Sequence, residues 1–121
     1  MKTAILTAAV ILAMPAFAFA QDADAASKKS DRKLNELYKQ IEARLKDDAH
    51  TKKLLIQAQQ GWVKFRDAEC SFQTAGSAGG SVVPMLIAQC MDGLTQSRVK
   101  VFEGYLHCKE GDLSCPVPAA N

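Results

Sequence analysis

Four cysteines, Cys70, Cys90, Cys108 and Cys115, constrain this chain more than any other feature. They matter because the chain is only 121 residues long and its start reads as an export leader. Met1-Lys2-Thr3 is a short positive opening, Ala4 to Ala16 is almost wholly apolar, and Ala18-Phe19-Ala20 is an A-x-A cleavage site. The apolar run is shorter than the roughly 20 residues that a bilayer-spanning helix needs. No cysteine lies near the cut to carry a lipid. Residues 1–20 are therefore expected to be a signal peptide, giving a periplasmic or secreted product with no stable membrane anchor after cleavage. In that oxidising setting an even set of cysteines reads as two disulfides. Zinc is disfavoured because no spacing matches a tight C-x2-4-C ligand pair. A redox C-x-x-C is absent too. No metal and no cofactor are expected.

The rest of the chain has helical periodicity and no sustained alternation of apolar and polar residues. Leu34, Leu37, Tyr38, Ile41 and Leu45 fall on one helical face, with Ser30 or Asp31 placed to cap its start. Asp47 and Asp48 offer a cap for a second helix over about residues 51–72. Its apolar seam reads Leu55, Ala58, Trp62, Phe65, Glu69 and Phe72. Three glycines in five residues then mark a loop from Gln73 to Gly80. Ser81 and Pro84 suit the start of a third helix reaching about His107, with a seam of Ile87, Met91, Leu94, Arg98, Val101 and Tyr105. The fold class expected is all-α, a small antiparallel bundle of about three helices stapled by disulfides. Residues 21–30 have no apolar face and residues 116–121 are Pro/Ala-rich, so both are expected to be flexible. The helical domain then spans 31–115. About 80 residues make a core of only marginal stability, so cross-links help.

The cysteines test that layout. If the second and third helices run antiparallel across the glycine loop, Cys70 faces Cys90. Cys108 lies about 27 Å further along the third helix, well beyond the roughly 7 Å that a disulfide spans. The expected pairs are therefore Cys70–Cys90 and Cys108–Cys115. The same register sets Trp62 level with Arg98, where a guanidinium lies against the indole. Asn35 or Asp31 is expected to accept from Arg98, and Arg66 to be the nearer partner of Glu69.

Charge is nearly balanced, 15 Lys+Arg against 13 Asp+Glu. No basic stripe interleaved with aromatics supports nucleic-acid binding. The cluster Lys28, Lys29, Arg32 and Lys33 reads as a solvated, frayed helix start. His50 and His107 sit near helix ends, far from each other in sequence. Asp67 and Glu69 read as a structural ion-pair cluster with neighbouring cations rather than an acid–base pair. No catalytic residues are expected. Gly76, Ser77, Gly79, Gly80 and Ser81 form the candidate binding loop, because loops held on a rigid scaffold often carry recognition. Against that stands the plainer reading of a flexible connector.

The run Trp62-Val63-Lys64-Phe65-Arg66-Asp67-Ala68-Glu69-Cys70 is W-x3-R-D-x2-C. Gly79-Gly80-Ser81, Cys90, Thr95 and Arg98 follow it, and Leu34-Asn35-x2-Tyr38 precedes it. Together these motifs resemble the LprI family of bacterial exported proteins, named after a lysozyme inhibitor, over about residues 31–108. The resemblance implies a compact, helical, non-enzymatic envelope protein and makes a lysozyme-type glycosidase the first partner to test. It also implies that Trp62, Arg66, Asp67, Glu69 and Arg98, with the cysteines, serve mainly the scaffold. The other readings are a structural or stress-related envelope protein and a small-ligand binder.

Overall fold

The computed structural model describes residues 15–120. It contains three long helices, α1 (Pro15–Arg44), α2 (Ala49–Gln73) and α3 (Val83–Leu106), with a 3-10 turn at Ala75–Ser77 between the second and third. The first fourteen residues of the expected leader lie outside the described residues. No described helix is long and apolar enough to cross a membrane.

The core follows from the apolar spacing of α1. Leu34, Leu37, Ile41 and Leu45 project one stripe, which meets Phe102 and Leu106 of α3 and Val117 beyond it. Ile41 and Phe102 retain no exposed surface. Burying side chains of this size contributes about 1.5–3 kcal/mol each. The Tyr38 and Phe102 rings lie 6.4 Å apart, and Arg44 Nη1 donates to the Leu106 carbonyl at 2.7 Å. Rising numbers on one helix thus meet rising numbers on the other, so α1 and α3 run parallel. The second helix runs antiparallel to both. Asp48 starts it by accepting from the Thr51 N–H at 2.9 Å. The expected three-helix bundle is therefore present in up-down-up order, with two cysteine pairs closing it.

Several details differ from the expectations. Neither Ser30 nor Asp31 caps α1, which is already helical from Pro15. Residues 21–30, expected to be flexible, lie within that helix, where Ala23, Ser27 and Ser30 are buried. These continue the Leu34–Leu37–Ile41 stripe at spacings of four and three, with small residues that pack closely while looking polar in sequence. The basic cluster Lys28–Lys33 consequently sits mid-helix and not at a frayed end. The tail is anchored as well. Val117 joins the core, and Arg44 Nη1 also reaches the Pro118 carbonyl at 3.5 Å. Val82, without a side-chain cap, precedes α3 in place of Ser81, while Pro84 does fall in the first turn.

The inward faces are rotated too. On α2 the residues turned inward include Leu55, Gln59, Trp62, Arg66 and Cys70, whereas Phe65 and Phe72 of the expected seam are exposed. On α3 the fully buried positions are Thr95 and Phe102, with Leu106 nearly so, while Val101 is 41% exposed. As the central element, α3 meets α1 and α2 on two sides, so a single apolar line does not describe its buried sector.

Candidate functional site

Two clusters matter, one inside the bundle and one at its tip. The inner one is built on Trp62. Arg66 lies 5.2 Å and Arg98 5.8 Å from the indole centroid, and Arg98 also covers the Phe102 ring at 4.7 Å. The expected juxtaposition of Trp62 with Arg98 is thus present, but the partners differ. Asp31 accepts from Arg66 Nη1 at 2.9 Å, and Asp67 accepts from Arg66 Nε at 3.2 Å. Arg66 also donates to the buried Thr95 hydroxyl at 3.4 Å. Arg98 instead donates through Nε to Gln59 Oε1 at 3.1 Å, so neither Asn35 nor Asp31 serves it. Burial pulls the Arg98 guanidinium below its ordinary pKa.

Glu69 does not join this cluster. It accepts from Gln73 Nε2 at 3.1 Å. Asp67 and Glu69, two residues apart on a helix, point to different sides, which removes the general acid–base pair. Of the histidines, His50 lies in the first turn of α2, and His107 caps α3 with its ring nitrogen 2.6 Å from the Glu103 carbonyl. Among the described residues no group of three potential ligands gathers to hold a metal. Burial, with Glu42 nearby, raises the Tyr38 hydroxyl above its ordinary value. The pair fits a structural phenol better than an acid poised near neutrality.

The tip is the hairpin between α2 and α3. Cys70 and Cys90 stand 5.6 Å apart at Cα and close its base, while Cys108 and Cys115 stand 6.1 Å apart at the opposite end. The buried Thr74 hydroxyl donates to the Cys70 carbonyl at 2.8 Å, ending α2 firmly. Gly79 turns the chain at φ +80°. At Gly80 an added Cβ would meet the Ser77 carbonyl at 3.0 Å, so the turn tolerates little there. Gly76, Gly79, Gly80 and Ser81 are exposed and Ser77 partly so. The residues that sequence reasoning missed flank this loop: Phe72 is 76% exposed and Val82 is 42% exposed. Phe65 continues the same apolar line down α2, seven residues or about 10 Å away. The signal was in the sequence, since Leu54, Ala58, Phe65 and Phe72 share one helical face. The expected seam takes Ala58, Phe65 and Phe72 inward together with Leu55 and Trp62, because apolar stripes usually point there.

The sequence comparisons bear on what this arrangement serves. A family model described as "Lysozyme inhibitor LprI" matches residues 13–102. The chain belongs to the LprI family. One similar protein, from Rhizobium meliloti (strain 1021), is 31% identical over 87 residues, covering 63% of each chain, and is described as uncharacterized. The chain thus spans less than two thirds of that relative's length. No solved structure matches. The LprI match includes the Trp62–Arg98 cluster and the whole hairpin tip but stops before the Cys108–Cys115 loop.

Proposed function

We propose that this LprI protein is an exported, non-enzymatic binding module that inhibits a lysozyme-type glycosidase through its hairpin tip. The family description supplies the partner class. The observation that carries the choice of surface is the pairing of exposed Phe72 and Val82 on either side of a loop closed by Cys70–Cys90. Exposed aromatic anchors dominate many protein interfaces, and a loop already held at its base loses less entropy on docking. Gly76, Gly79 and Gly80 keep the tip narrow enough to enter a cleft, while Ser77 and Ser81 offer hydroxyls to carboxylates within it. Export to the periplasm or beyond, with loss of residues 1–20, fits the leader and the cysteine pairs and places the protein where such enzymes act.

The test is lysis of bacterial cell walls, followed by turbidity, with several lysozymes and excess folded protein. Slower lysis is expected for at least one enzyme. Replacing residues 76–80 by another flexible linker is expected to abolish the slowing while helicity is retained. Unslowed lysis with every enzyme would remove the inhibitor reading. Full inhibition by the linker variant would move the binding surface elsewhere.

A further inference from the structure

Between the C-terminal half of α1, the N-terminal half of α2 and the returning tail lies an apolar slot that the tip mechanism does not use. Its volume is about 200 Å³. Leu54, Leu55, Ala58 and Tyr105 give it accessible walls over a floor of the buried Ile41, Leu45 and Val117, and Arg98 contributes the charge. Away from the slot, α2 is clamped to α3 at its far end by Cys70–Cys90. Toward its N-terminus only partly buried side chains such as Leu55 face inward. Arg98 is unusual within this setting. It is partly buried between the Trp62 and Phe102 rings, yet its hydrogen bond is to the neutral Gln59. Among the described residues no carboxylate lies within ion-pair distance of it, in contrast to Arg66 with Asp31 and Asp67. A partly desolvated cation at an apolar slot is unfavourable alone and complementary to a carboxylate carried on a short apolar body.

We propose that this slot binds a small anionic amphiphile, a monocarboxylate with about six to eight carbons in its apolar part, through Arg98. The size follows from the volume, since an apolar cavity of about 150 Å³ admits benzene. The guanidinium, which keeps its charge at neutral pH, holds the carboxylate in a charge-assisted hydrogen bond. The Leu54, Leu55, Ala58 and Tyr105 side chains flank the tail. Such an occupant would also fill space beneath α2 and tighten its hold on the bundle.

Trp62, the single tryptophan of the chain, reports on the site directly because Arg98 lies over its ring. The experiment titrates the purified, disulfide-intact protein with octanoate, octanol and acetate, following Trp62 emission without any lysozyme present. A saturable change is expected with octanoate, about tenfold or more tighter than with octanol, and none with acetate. Arg98→Gln is expected to bring octanoate down to the level of octanol. Ala58→Phe, which narrows the slot while leaving Arg98 in place, is expected to weaken both and serves if Arg98→Gln fails to fold. Equal titration by octanoate and octanol, no response to octanoate, or unchanged octanoate binding in a folded variant of either kind would overturn the proposal. Because lysozyme takes no part, none of these outcomes depends on the inhibitor reading.

Discussion

Phe102 has no exposed surface and meets the Tyr38 and Tyr105 rings at 6.4 and 6.2 Å and the Arg98 guanidinium at 4.7 Å. Phe102→Ala empties the junction of α1 and α3, and is expected to cost about 3–5 kcal/mol in urea unfolding. Asp48 makes a pH-dependent contribution. Its hydrogen bonds from Thr51 hold its carboxyl below the ordinary carboxylate value. A depressed folded-state pKa stabilises fully above the unfolded value and fades as pH falls through the folded one. Asp48→Ala is therefore expected to lower the melting midpoint at neutral pH, with the difference from the native protein closing as acid protonates the cap. A difference that persists unchanged at the acid end would place the effect elsewhere. At this scale the sequence was readable where chemistry was local, as in the Asp48 cap. It was unreadable where a partner had to be chosen in space: nothing near Arg98 or Arg66 in the chain says that Asp31 goes to the second and not the first.

Element boundaries were legible where a strong punctuator stood, and misread where packing used small side chains. Asp48 and the glycines around the loop bracket α2, and Pro84 marks the first turn of α3. The first helix gave no such mark at its N-terminal side. Its seam passes from leucines to Ser30, Ser27 and Ala23, residues whose burial costs little because they are small and, for Ser30, because its hydroxyl donates to the Ser27 carbonyl at 3.0 Å. Hydrogen exchange distinguishes the two descriptions of this segment. Amides of residues 23–30 are expected to be protected well beyond those of an unstructured chain, and immediate exchange would restore the flexible segment. The α2 face departs from the expected seam for the opposite reason. Phe65 and Phe72 are apolar yet point outward, while Gln59 and Arg66 point in and find hydrogen-bonding partners. A helix that turns Trp62 inward but shows solvent two phenylalanines, with polar side chains inside, departs from the usual amphipathic rule. Such departures tend to mark binding surfaces.

As a whole molecule the protein is a tightly packed parallel pair, α1 and α3, with α2 leaning across it and pinned by Cys70–Cys90 at one end and a short turn at the other. The all-α class and the three-helix order were readable from periodicity, and the cysteine layout could be argued from reach along α3. What the sequence did not disclose is how the tail returns. Val117 enters the core because the Cys108–Cys115 closure folds the chain back toward Leu45 and Leu106, a long-range consequence of two sulfurs. The hairpin tip lies within the family-matched region, is closed at its base by Cys70–Cys90 and is flanked by exposed Phe72 and Val82, the surface on which the proposed inhibitor reading rests. Calorimetric titration of a susceptible lysozyme with the native protein and with the Phe72→Ser/Val82→Ser variant tests this most directly. Saturable binding by the native protein and a loss of about thirtyfold or more in the equally stable variant are expected. Equal affinity of the two proteins, or no binding by the folded native protein, would contradict the account.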